Sequence, residues 1–190
     1  MINNLIADLN KALDNNCFLS ALSLALTLPD ICGKAKFPNE KSTKKRYIDW
    51  YDDYVGKYEQ CPGYEGRMPY LSGEVVYNLR CSFLHQGNPN LEKEKIKEDC
   101  CKIDRFILET ENKKDFNILT DLSSLSESFC GNDKIGETNR TYIVNVRRLC
   151  FIISANAKAY YNDNKDLFNF FNFSIINKDK KWNWGRYNYG

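Results

Sequence analysis

Residues 17–28 read CFLSALSLALTL, and a helix built from them is apolar on nearly every side, with Phe18, Leu19, Leu22, Leu24, Leu26 and Leu28 spread round it. Such a helix is stable in water only when other elements enclose it, so the rest of the chain must supply a surround. The run is shorter than the roughly 20 residues a membrane helix needs, and Pro29 follows it. The pattern therefore predicts a central core helix from Cys17 to about Lys34, broken near Pro29 and helped to its end by Gly33, and no membrane span. Asp8, Lys11 and Asp14 before it give a mixed-charge stretch unlike the basic opening of a secretory signal, which sets the expectation of a cytoplasmic protein.

The surround is legible as further helices. Ile2, Leu5, Ile6, Leu9 and Leu13 recur at helical spacing and stop at Asp14-Asn15-Asn16. After a polar linker with Pro38 and the basic residues Lys41, Lys44, Lys45 and Arg46, a helix with an aromatic stripe is expected through Tyr47, Trp50, Tyr51, Tyr54 and Tyr58. A loop rich in Gly and Pro over 59–70 leads to Ser72, an N-cap residue with Glu74 in the first turn behind it, and the helix it opens stops near Gln86 before Gly87 and Pro89. Residues 102–110 and 116–120 suggest a small β-hairpin over the helices, and 120–140 read as polar loop. A last long helix is expected to carry Tyr142, Val146, Leu149, Cys150, Ile153, Ala157 and Tyr160. With 190 residues, 43% of them hydrophobic, one core suffices. The fold class is mainly α, a helical bundle with a small β-hairpin insertion, organised as a single helical domain over 1–177 and a basic-aromatic C-terminal tail over 178–190.

Charge is nearly balanced, 27 Lys+Arg against 25 Asp+Glu, so affinity for nucleic acid has to come from a local patch. The eight cysteines at 17, 32, 61, 81, 100, 101, 130 and 150 form no Cys-x-x-Cys pair and read as buried free thiols, with no metal or other cofactor called for.

Chemistry concentrates in the helix SGEVVYNLRCSFLHQ over 72–86. His85, the only histidine, is able to take a proton from a ribose 2′-hydroxyl or return one to a leaving 5′-oxygen. Arg80 offers a permanent cation with forked donors for a phosphate and its transition state. On an ideal helix the two lie about 140° and about 7.5 Å apart, so one helix presents them poorly to one phosphate. Val75, Val76, Leu79 and Phe83 form the expected core stripe, whereas Tyr77, Cys81 and Leu84 form a second apolar arc. Packing that arc against its twofold mate in a homodimer would bring both copies of Arg80 and His85 to one cleft.

The Arg80-x-x-x-x-His85 pair near a helix C-terminus, in the stretch LRCSFLHQG, resembles the signature of the HEPN superfamily. That resemblance implies a HEPN-like helical bundle that dimerises and cleaves RNA without metal. It also implies a toxin or defence role and an antitoxin or other regulatory protein as partner. Many members have a polar residue after the motif Arg; here Cys81 stands there, with Asn78, Ser82 and Glu74 as auxiliary candidates. Two other readings follow from the residues. One is a catalytically inactive HEPN-like interaction module; the other is an all-α Mg-dependent NTP pyrophosphatase built on Asp49, Asp52, Asp53 and Glu59. The tail KDKKWNWGRYNYG interleaves cations and aromatics, a composition suited either to stacking bases or to packing on the body.

Overall fold

Helix α1 (Ile2–Asp14) buries Ile2, Ile6, Leu9 and Leu13 along one stripe, as their spacing predicts. The expected turn ends it: Asn15 Nδ2 donates to the Lys11 carbonyl at 2.8 Å, and Asn16 takes φ 57°, a left-handed conformation that Asn tolerates better than most residues. The computed structural model describes residues 1–60, 62–63, 70–88, 91, 93–97, 105–110, 124–129, 138–171 and 173. Over these the fold is mainly helical.

Helix α2 (Phe18–Lys36) is the core element, but it does not break at Pro29 and is not ended by Gly33. Pro29 lacks the N–H that would bond the Ala25 carbonyl, a local cost that burial offsets, because α1, α3 (Thr43–Tyr54), α4 (Gly73–Gln86) and α5 (Val146–Asp163) all pack along this helix. Running unbroken, α2 is long and apolar enough by length and composition to cross a bilayer, which removes the argument from a short run; here half of that stretch is buried against the other helices, and Leu19 stays 57% exposed. Gly33 instead marks a close crossing. A Cβ there would stand 2.5 Å from the Arg46 carbonyl oxygen, so only glycine lets the α3 backbone lie this near.

Helix α3 is capped by Ser42 Oγ, which accepts the Lys45 N–H at 3.2 Å, and Tyr47, Trp50 and Tyr51 are fully buried beneath it. The aromatic stripe stops short of Tyr58, which lies past the helix in a single 3-10 turn and is 71% exposed. Helix α4 begins and ends as expected: Ser72 Oγ accepts the Val75 N–H, and Gly87 at φ 71° closes the helix with its N–H on the Phe83 carbonyl and the Asn88 N–H on that of Ser82. Its inner face carries Val75, Val76 and Leu79 together with Asn78 and Ser82, while Phe83 is only half-buried.

The described strands form a sheet that the sequence reading does not anticipate. Strand β1 (Arg105–Glu109) falls inside 102–110 but pairs in parallel with β3 (Thr138–Asn145), and β2 (Ser124–Phe129) pairs antiparallel with β3, in the order β1-β3-β2. The proposed hairpin partner at 116–120 lies outside the described residues. The polar stretch read as loop therefore holds β2 and the start of β3, and Tyr142 sits on β3 rather than on the last helix. Alternate residues Tyr142 and Val144 turn inward to the helices. Strand β3 passes directly into α5, where Asn145 Oδ1 caps the Arg148 N–H at 3.0 Å. Arg148 then grips Glu59 through two contacts of 2.7 and 2.8 Å, with side chains 10% and 8% exposed.

Candidate active site

The two caps of α4 place Arg80 and His85 in its last turns, on the side facing the second half of α2. Arg80 Nη1 lies 2.8 Å from His85 Nε2. Arginine has no acceptor, so Nη1 donates and Nε2 accepts. The expectation that one helix holds the pair apart is thus corrected: the flexible stem of Arg80 carries its guanidinium along the helix and across the offset between the two Cα positions.

The other side of the guanidinium is held by Asp30 of α2, whose Oδ2 accepts from Arg80 Nε at 3.0 Å and from Nη2 at 2.8 Å. Both side chains are 19% exposed. Burial raises the Asp30 carboxyl above its ordinary value, even though Arg80 opposes the shift. For Arg80 burial works against the charge, but Asp30 and Cys81 together outweigh it and keep the guanidinium more firmly protonated than usual. Among the described residues the buried Asp30 Oδ1 has no hydrogen-bond partner. Beneath this group lies the fully buried Tyr47, whose ring meets Tyr77 edge-on at 5.2 Å and whose hydroxyl is pushed well up by burial.

Asp30 escaped the sequence reading because it lies 50 residues before Arg80; its trace in the sequence is one acidic residue at the end of an otherwise apolar run. A second missed feature is the segment FNFFNF over 168–173. Its rings continue a chain of aromatic contacts that leaves the core at Trp50 and passes through Tyr54, Tyr160, Phe168, Phe170 and Phe171 to Phe173.

The auxiliary candidates do not join the Arg80–His85 contact. Glu74 stands at the opposite end of α4, accepting Lys44 Nζ at 3.1 Å and the Lys97 N–H at 2.8 Å. Asn78 Nδ2 donates to the Glu74 carbonyl at 3.1 Å. With Ser82, Tyr77 and Cys81 it lines a separate cleft of 390 Å³ closed by Lys44, Lys95 and Lys97. Tyr77, Cys81 and Leu84 are each half-buried, and Tyr77 is covered in part by Tyr47 of its own chain.

The four carboxylates of the pyrophosphatase reading are drawn to different partners. Asp49 pairs with Lys45, Asp53 with Lys36 and Glu59 with Arg148, while Asp52 accepts the Gly73 N–H at 2.6 Å. Among the described residues no three His, Cys, Asp or Glu side chains converge as metal ligands. Of the cysteines described, Cys32 and Cys150 are buried, Cys81 is half-buried and Cys17 is exposed at the start of α2, against the expectation that all are buried; 61, 100, 101 and 130 lie outside the described residues. Burial pushes the Cys150 thiol up to about 12 and raises Cys32 as well. The tail over 178–190 also lies outside the described residues. Comparison with protein-family models, with curated proteins and with solved structures gives no match to this chain.

Proposed function

We propose that this chain is a metal-independent endoribonuclease of HEPN type that works as a homodimer. The observation that carries the reading is the 2.8 Å approach of Arg80 Nη1 to His85 Nε2 at the capped end of α4. A donor suited to phosphate and a proton acceptor meet at one point, and Asp30 holds the donor from behind.

In the proposed reaction a phosphate oxygen of RNA takes the Nη1 donor, which frees His85 Nε2. That nitrogen accepts the proton of the neighbouring 2′-hydroxyl as the 2′-oxygen bonds to phosphorus. The bond from phosphorus to the 5′-oxygen breaks, the proton passes to that oxygen, and the products are a 2′,3′-cyclic phosphate and a 5′-hydroxyl. Arg80 meets the extra negative charge of the five-coordinate phosphorane. The half-buried Tyr77, Cys81 and Leu84 form the proposed subunit contact, and the defence reading supplies an antitoxin or regulatory protein as further partner. An inactive interaction module is the second reading, favoured by one observation: Arg80 already spends Nε and Nη2 on Asp30, as a structural tie would.

The deciding experiment is cleavage of single-stranded RNA in EDTA. The expected product carries a 2′,3′-cyclic phosphate, His85→Ala abolishes cleavage and Arg80→Ala slows it by roughly tenfold or more. Cleavage that requires Mg²⁺ and survives His85→Ala refutes the mechanism; a folded protein that cuts no RNA supports the inactive module. Leu84→Glu, at the proposed subunit contact, is expected to give a folded monomer by sedimentation; loss of cleavage in that monomer would show that a second copy completes the cleft, and wild-type protein that is already a monomer refutes the homodimer.

A further inference from the structure

Alongside Asp30, on the α3 side of α2, a cleft of 390 Å³ is lined by Asp30, Lys34, Arg46, Phe170, Phe171 and Phe173. Its aromatic wall is the outer end of the ring series that begins at Trp50. Phe170 and Phe171 lie 4.5 Å apart at a tilt, Phe171 and Phe173 meet edge-on at 5.8 Å, and Phe173 is 54% exposed. A ring held this open to water by contacts to its neighbours is costly unless something covers it.

Cations flank the same wall. Lys34 Nζ stands 4.6 Å above the Phe170 ring, and Arg46 is fixed by donating Nη1 to the Glu40 carbonyl and Nη2 to Thr43 Oγ1. Among the described residues neither cation is in an ion pair. Arg46 also acts electrostatically on Asp30 in the same cleft, which leaves two cations against one carboxylate; aromatic faces beside that excess of positive charge suit a ligand with a flat π surface and a negative charge.

The position narrows the class further. Asp30 is a wall shared between this cleft and the Arg80–His85 contact, since its Oδ2 holds Arg80 while the residue lines the cleft. A strand whose phosphate lay at Arg80 would have Asp30 between that phosphate and the Phe170–Phe173 wall, where an adjoining nucleotide could sit. Bases inside a duplex have their faces already stacked, so the wall selects an unpaired one.

We propose that the cleft between Lys34, Arg46 and the Phe170–Phe173 wall is a nucleotide subsite that stacks one unpaired base of single-stranded RNA. This rests on the ribonuclease reading for the identity of the ligand. It makes the enzyme selective for single strands and assigns Phe171 and Phe173 to binding.

The test uses full-length protein and a labelled 2′-O-methyl oligonucleotide, which lacks the nucleophile and is not cut, with affinity read by fluorescence anisotropy. Stacking on an aromatic side chain contributes about 5- to 150-fold per base, so Phe171→Leu/Phe173→Leu is expected to weaken binding within that range. An abasic residue scanned along the strand should weaken wild-type binding similarly at one position and cost the double variant nothing more there. Phe173→Leu alone, at an exposed site, repeats the measurement without threatening the fold. Equal affinity of wild type and variants, losses that simply add, or no strand binding by the wild type each overturn the subsite; the first leaves the rings to packing or protein contact. Coupled losses in a protein that cuts no RNA uphold the subsite and sink the nuclease, whereas His85-dependent cleavage without coupling sinks the subsite alone.

Discussion

Replacing Arg80 with Met removes the only cation bonded to Asp30 among the described contacts, with two hydrogen bonds of 3.0 and 2.8 Å, while keeping an unbranched stem that reaches about as far as Arg80 Nε. Asp30 then keeps no hydrogen-bonded cation among the described residues, its Oδ1 having no such partner to begin with, and the more distant charge of Arg46 still favours its ionised form. Breaking a fully buried ion pair costs about 3–5 kcal/mol; with both side chains 19% exposed, solvent screening reduces this to about 2–3 kcal/mol. For a chain of this size that lowers Tm by about 4–12 °C. The pH dependence has a definite sign. Burial already raises the Asp30 carboxyl, and loss of Arg80 raises it further. A carboxyl raised in the folded state contributes stability that is fully present below its unfolded value near 4 and is lost as pH rises through the folded value. The gap between variant and wild type should thus be small at about pH 4.5 and reach its full size near pH 8. Thermal melts followed by circular dichroism across that range measure it. The double variant Asp30→Asn/Arg80→Met, having no charge left to strand, should recover most of the loss. A gap independent of pH, or a double variant no more stable than Arg80→Met, would refute the reasoning.

Three further outcomes are expected. Glu59→Ala strands the buried Arg148 and should cost about 3–5 kcal/mol in denaturant unfolding, and a loss below about 1 kcal/mol would contradict the buried pair. Gly33→Ala places a methyl group against the Arg46 carbonyl and should destabilise by about 1–3 kcal/mol through separation of α2 and α3; an unchanged melting point counts against that close crossing. In native protein at pH 8 the Cys150 thiol, pushed up to about 12, should be alkylated far more slowly than exposed Cys17, with the two resolved by peptide mass mapping. Equal rates would mean that the Cys150 face of α5 is not buried against the neighbouring helices.

Where a local rule acted alone, the chain was readable. Ser72 and Gly87 bound α4 because an N-cap hydroxyl and a left-handed C-terminal turn are decided within a few residues, and the stripe of α1 fixed its buried face in the same way. Pro29 misled because its missing hydrogen bond is a local cost, whereas the helix continues for the sake of packing from four other helices. Strands β2 and β3 were hidden by polar residues in Ser124–Phe129 and Thr138–Asn145, although the run Thr141-Tyr142-Ile143-Val144 was a strand signal that helical spacing of later residues absorbed into α5. At the site, Arg80 and His85 were legible as residue types. Their contact was not, because a calculation on helix positions leaves out the reach of a guanidinium, and Asp30 becomes a neighbour only once α2 and α4 cross.

The enclosure of α2 also orders events in time. The helix itself is complete at Lys36, yet α5, which covers one of its flanks, is complete only at Asp163, about 6 to 25 seconds later at ribosomal rates of about 5–20 residues per second. Over that interval the most apolar helix of the nascent chain has at most α1, α3 and α4 against it. Strand β1 likewise waits for β3, its parallel partner, before its backbone groups on that side are matched. A truncated product ending before Val146, which leaves that flank of α2 uncovered, is therefore expected to collect with chaperones that hold apolar segments or to aggregate.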